Sequence, residues 1–134
     1  MSCAVMPVSI LIVDDEPDVA ILFRQQFRRE TREGVYLLHF ALSASEALER
    51  LAVEIKPQPI VILSDINMPG MDGLGLLREI KKRRPELPVM MLTAYGDDER
   101  RRRAAEDGAA DFVTKPVDFD FLKTRLRELH GPLS

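Results

Sequence analysis

The sequence predicts an α/β fold built on a doubly wound parallel sheet, and three observations carry that prediction. Short apolar runs alternate with helical patterns five times along the 134 residues. Three of the runs are almost continuously apolar, as parallel strands covered on both faces are. The length suits one domain with one sizeable core. The expected division is a single domain over 1–134, with its core at about 8–130 and 131–134 as a tail or the start of a linker.

The elements follow in order. Strands are expected at Ser9–Val13, Tyr36–Ala41, Ile60–Ser64, Val89–Leu92 and Phe112–Thr114. After Pro17, the residues Val19, Leu22, Phe23 and Phe27 line one helical face. Ser43 and Glu46 have the spacing of a capping box, and Ala47, Leu48, Leu51, Ala52 and Ile55 continue at helical spacing. A third helix, Leu74 to Arg84, is stopped by Pro85, and a fourth, Asp98 to Asp107, ends at Gly108. The fifth begins near Asp118 or Asp120, carries Phe121, Leu122, Leu126 and Leu129, and stops at His130-Gly131-Pro132. Five alternating units imply right-handed crossovers, with ligands bound beyond the carboxyl ends of the strands.

Composition narrows the function. Apolar residues make up 46% and charged residues 31%, a globular balance. The net charge of −3 provides no field for nucleic acid or an anionic membrane. No apolar run approaches the roughly 20 residues of a membrane span. Cys3 is the single cysteine, so an internal disulfide is excluded and a reducing, cytoplasmic location is expected.

The strand ends carry the chemistry. Strand 1 runs into Asp14-Asp15, strand 3 into Asp65, strand 4 into Thr93 and strand 5 into Lys115-Pro116. If those strands are neighbours, three carboxylates, a hydroxyl and an ammonium meet at one sheet edge. Close carboxylates repel, and one takes up a proton unless a cation intervenes. Mg²⁺ (or Mn²⁺) suits such a site, because it keeps several waters and joins one or two carboxylates to a phosphate. Aspartate is also a nucleophile that forms aspartyl phosphates. Lys115 would neutralise phosphoryl oxygens and Thr93 would donate a hydroxyl.

The segments ILIVDDEPD, LSDINMPGMDG, MLTAYGD and GAADFVTKP resemble, in order and spacing, the signature segments of response-regulator receiver domains of two-component signalling. The resemblance covers about Ile10 to Leu129. It implies a flavodoxin-like (βα)5 three-layer sandwich with strand order 2-1-3-4-5. Asp65 matches the phosphoacceptor. Asp14 and Asp15 match the acidic pair that places the metal, with the backbone carbonyl of Asn67 completing the protein ligands. Thr93 and Phe112 match the switch pair, and Lys115 matches the lysine that pairs with the acceptor or its phosphate. Lys115-Pro116 matches a bond that is cis in the family. Asn67 and Tyr95 occupy variable positions that modulate dephosphorylation, and the Tyr95 ring is expected to shield the acyl phosphate. Phenylalanine at the aromatic switch can reorient but has no hydroxyl to donate.

The implied function is a phosphorylation-controlled switch rather than a multiple-turnover enzyme. Its donor is a histidine kinase or histidine phosphotransfer protein. Its fourth helix, fifth strand and fifth helix address an output domain, a downstream protein or a second copy in a homodimer. A haloacid-dehalogenase-type phosphohydrolase uses similar residues, but it carries Asp-x-Asp after its first strand, where this sequence has Asp14-Asp15-Glu16, and usually a cap domain for which this chain is short. A receiver-like module that works without phosphorylation is the third reading, and the complete acidic site argues against it.

Each residue alone has a plainer role. Aspartate at a strand end is a turn former, Thr93 a strand residue, Lys115 a solvated charge and Phe112 a packing group. Their joint placement is what points to chemistry. Met68, Met71, Met90 and Met91 read as loop anchors and core, and His39 and His130 as structural or exposed. The runs Lys81–Arg84 and Arg100–Arg103 read as solvated faces, the second paired internally through Glu99–Arg103, Arg102–Glu106 and Arg103–Asp107.

Overall fold

Side-chain alternation along the strands decides which layer each helix joins. The computed structural model describes residues 8–53, 60–68, 70–94 and 96–130. Cys3, Ile55, Pro69, Tyr95 and the tail from Gly131 lie outside the described residues, as do the side chains of Val53, Ile60 and His130. The order is β1 (Val8–Val13), α1 (Pro17–Gln26), α2 (Arg28–Arg32), β2 (Tyr36–Ala41), α3 (Ala44–Val53), β3 (Ile60–Asp65), α4 (Gly73–Arg83), β4 (Val89–Thr93), α5 (Asp98–Glu106), β5 (Asp111–Thr114) and α6 (Phe119–His130).

All five strands pair in parallel in the order β2-β1-β3-β4-β5. Leu11 and Val13 of β1 face a core shared with Ala44 and Ala47 of α3, Leu76, Leu77 and Ile80 of α4, and Ala104 of α5. Ile10 and Ile12 face the opposite way, toward Phe23 of α1, Phe27, and Leu122 and Leu126 of α6. Two cores on one sheet make the three-layer sandwich. They also explain why β1 and β4 are buried at every position.

The structure alters several expectations in detail. The first helix is two, because Phe27 leaves helical geometry at φ −106° and ψ 16°. Its ring is buried against Phe23, Tyr36 and Phe119, with the Phe23 ring centroid 5.8 Å away. Leu22 is 42% and Phe121 47% exposed, so neither belongs to its helix's core stripe. Phe121 falls opposite the face formed by Phe119, Leu122 and Leu126. Met71 is exposed, unlike the buried Met68, Met90 and Met91. Of the capping box, the Ser43 half forms (Glu46 N–H to Ser43 Oγ, 3.1 Å), while Glu46 Oε1 accepts instead from Leu42 N–H at 2.6 Å.

The basic run on α5 is only in part the self-paired face expected of it. Arg102 pairs backward with Glu99 at 2.8 Å, and Asp107 pairs with Arg78 of α4 at 3.2 Å. Arg100 and Arg101 turn inward, toward the end of β3 and the ring of Phe112. Among the described residues, no helix is long and apolar enough to cross a membrane.

Candidate functional site: an acidic cluster at the carboxyl edge of the sheet

Parallel pairing brings the ends of β1, β3, β4 and β5 to one edge. Asp65 is the last residue of β3, paired in register with Leu92, and Thr93 closes β4 beside Thr114. Asp14 follows β1 and stays tied to the sheet, its N–H donating to Ala41 O at 3.1 Å. Beyond β5, the Lys115 N–H donates to Thr93 O at 2.8 Å, and the Lys115–Pro116 bond is cis.

The side chains converge. Lys115 Nζ donates to Asp65 Oδ2 at 2.9 Å and to Asp14 Oδ2 at 3.3 Å. Asp14 Oδ1 accepts from the Glu16 N–H at 3.0 Å, and Asp65 Oδ1 from the Asn67 N–H at 3.2 Å. Asp15, exposed at the rim, completes a group in which one carboxylate oxygen from each residue lies within 4.8 Å of the others. Asp14 and Asp65 are buried, whereas the Lys115 side chain is a third exposed.

Electrostatics set the character of this cluster. Burial pushes the Asp14 pKa up, against the Glu16 N–H and Lys115, and the Asp65 charge adds to the rise. Burial also opposes the charge on Lys115, but its bond to Asp65 and the charges of Asp65 and Asp14 outweigh that and raise its pKa. One ammonium therefore serves the two buried carboxylates of a three-carboxylate group. A hard divalent cation with oxygen ligands fits this donor set.

Two further features sit beside the cluster. Thr93 Oγ1 is buried and has no hydrogen-bond partner among the described residues. Phe112 is half-buried, with the Arg101 guanidinium 5.0 Å from its ring centroid. The loop after Asp65 is held by Ile66 N–H to Leu92 O (3.1 Å) and Gly73 N–H to Ile66 O (3.0 Å). Asp72 then caps α4 by accepting from the Gly75 N–H at 3.0 Å.

Asp14, Asp15, Asp65 and Lys115 are thus brought together, with Thr93 and Phe112 on the adjoining strands and Asn67 bonded to Asp65. Tyr95 lies outside the described residues. Sequence reasoning missed Asp97, Arg100 and Arg101. The three-residue spacing of Asp97 and Arg100 puts them on one helix face, but no pattern says what that face meets.

The model for the response regulator receiver domain matches residues 10–127. The chain belongs to the response regulator receiver domain family. This receiver is 41% identical over 109 residues to the DNA-binding transcriptional regulator NtrC of Klebsiella pneumoniae, a match covering 81% of the chain and 22% of that protein. It is 42% identical over 123 residues to the response regulator protein PilR of Pseudomonas aeruginosa, covering 89% of the chain and 24% of PilR. The chain spans about a quarter or less of the length of these relatives. Among solved structures, the receiver domain of NtrX from Brucella abortus superposes with a TM-score of 0.77 at 35% identity, covering 90% of this chain and 96% of that one. A receiver domain protein from Clostridium thermocellum gives a TM-score of 0.81 at 27% identity, covering 91% and 93%. A phosphoacceptor role follows from the family. Receivers use Mg²⁺ at an acidic pocket and interact with histidine kinases and output domains.

Proposed function

We propose that the chain acts as a single receiver domain, with its core at 8–130, whose Asp65 accepts a phosphoryl group from a histidine kinase or histidine phosphotransfer protein. The observation that carries this reading is the double contact of Lys115 Nζ with Asp65 and Asp14 at the carboxyl edge of the sheet.

Asp65 is the acceptor because it is held by β3 while its side chain keeps a tenth of its surface exposed at the edge. One of its carboxylate oxygens forms the new O–P bond as the donor's histidine P–N bond breaks, and that electron pair returns to the imidazole nitrogen. Lys115 stays beside the acceptor and neutralises phosphoryl oxygens. Asp14, Asp15, Asp65 and the backbone carbonyl of Asn67 would hold Mg²⁺ or Mn²⁺. When bound, that ion supplies charge neutralisation for the transferring group.

Thr93 supplies the switch. Its hydroxyl is free to donate to a phosphoryl oxygen, and as it moves Phe112 fills the space behind it. The surface of α5, β5 and α6 then changes for an output domain, a downstream protein or a second copy. Tyr95 shields the acyl phosphate from water. Hydrolysis resets the switch: a water oxygen bonds to phosphorus, the Asp65 O–P bond breaks, and the carboxylate leaves with the electron pair. The domain thereby catalyses only its own phosphorylation and dephosphorylation.

Beryllofluoride with Mg²⁺ tests the reading, since the adduct mimics an aspartyl phosphate. NMR is expected to show saturable shifts at Asp65, Thr93, Phe112 and α5, lost in Asp65→Asn. Failure of the wild type to form an adduct contradicts the proposal.

A further inference from the structure

Asn67 has its side-chain amide gripped at both ends by the N-cap and first turn of α5. Its Oδ1 accepts from Arg100 Nη1, and its Nδ2 donates to Asp97 Oδ2 at 2.9 Å. The partners have opposite polarity, so one amide orientation alone is satisfied. The reverse would face oxygen to carboxylate and NH₂ to guanidinium. Arg100 Nη1 also donates to Ile66 O at 3.4 Å and lies 3.7 Å from Asp72 Oδ2. One guanidinium therefore gathers the carbonyl before Asn67, the Asn67 amide and the cap of α4, across 33 residues of sequence. Asn67 in turn places its own N–H on the acceptor carboxylate.

We propose that Arg100 and Asp97 are positioning residues for the acceptor: their clasp on Asn67 fixes the loop that donates to Asp65 and ties α5 to that loop by a route separate from Thr93 and Phe112. A second arginine of the same helix makes the contrast. Arg102 pairs with Glu99 on its own helix and leaves the loop alone, whereas Arg100 crosses to it. A cleft of about 430 Å³, lined by Asn67, Met68, Gly70, Asp72 and Arg100, opens at the clasp. With the amide held, Asn67 stands fixed between this cleft and Asp65. Released, it lets water approach from that side and shortens the life of the acyl phosphate.

The inference rests on Asp65 being the acceptor, so its test has one arm that needs no phosphate. In unphosphorylated protein, Arg100→Ala is expected to shift the Asn67 side-chain amide resonance in ¹H–¹⁵N spectra and to speed hydrogen exchange in the first turn of α5. Arg102→Ala is expected to do neither. In protein labelled with acetyl phosphate and Mg²⁺, Arg100→Ala is expected to shorten the phosphoryl lifetime roughly threefold to tenfold, the change from losing about one hydrogen bond. Arg100→Lys is expected to fall between. In an Asn67→Ala background, Arg100→Ala should change the lifetime no further. An unmoved Asn67 amide, an unchanged lifetime, or an effect that persists without the Asn67 side chain would each overturn the proposal. A wild type that takes no label contradicts the reading of Asp65 and the positioning role with it, while the amide result still reports whether the clasp exists.

Discussion

Lys115 and Asp65, 50 residues apart in the chain, meet at 2.9 Å where β3 and β5 end, and the same ammonium reaches Asp14 at 3.3 Å. One cation between two buried carboxylates leaves Asp14 in an environment that resists its charge. Its folded pKa lies above the ordinary 3.8, so the folded state binds that proton more tightly than the unfolded chain. Stability is therefore reduced above the folded pKa, and the loss is relieved as pH falls through that value. Asp14→Asn is expected to raise the Tm at neutral pH in chelator, with the gain fading toward pH 3.8. An unchanged or lower Tm at neutral pH would contradict the electrostatic account.

Gly73 carries the steric constraint on the acceptor loop. A Cβ there would stand 2.3 Å from Asp65 O and 2.7 Å from the Ile66 Cα, both backbone. Replacing glycine by alanine within a helix gains up to about 1 kcal/mol, but overpacking costs about 1–3 kcal/mol. Overpacking dominates at Gly73. Gly73→Ala should lower the denaturation midpoint and slow labelling of Asp65. At Gly75 the new Cβ stands 2.8 Å from the Cγ of exposed Met71, so that side chain must turn about its first bond, whereas no backbone atom is in the way. Gly75→Ala should therefore cost clearly less than Gly73→Ala by chemical denaturation.

Thr93 buries a hydroxyl that nothing among the described residues satisfies. Such a group costs about 1–3 kcal/mol in proteins. Thr93→Val keeps the shape, so the unphosphorylated domain should be about 1 kcal/mol more stable, while beryllofluoride should no longer shift Phe112. Urea melts and NMR of the variant check the two halves separately.

Lys123 ties α6 to the end of the first helical segment. Its Nζ donates to Gln26 O at 2.8 Å, pairs with Glu30 at 2.9 Å and lies 5.1 Å from the Phe27 ring centroid. Burial pushes the Glu30 pKa up, but the Lys123 hydrogen bond and charge, with a backbone bond, carry it below the ordinary 4.5. Stability from this pair is present above pH 4.5 and is lost as pH falls through the folded value. Lys123→Met should cost about 1 kcal/mol at neutral pH, and the difference should narrow below pH 4.5 as melts are repeated downward.

Strand positions and the residues at their ends were legible because periodicity and burial are local signals. The runs ending at Asp14, Asp65, Thr93 and Lys115 needed only the rule that parallel strands share a carboxyl edge. The strand order needed a family resemblance, since no local pattern says that β3 pairs with β1. The break at Phe27 was hidden because its ring fits the same apolar stripe that suggested one helix. The clasp on Asn67 was hidden for a different reason. Asp97 and Arg100 look like solvated charges until tertiary structure supplies a target 30 residues away.

Labelling tests most directly whether Asp65 accepts the phosphoryl group. Acetyl phosphate or a donor kinase, with Mg²⁺, should label the wild type with one phosphoryl group that maps to Asp65, and should leave Asp65→Asn unlabelled. Equal labelling of the two proteins would contradict that role of Asp65.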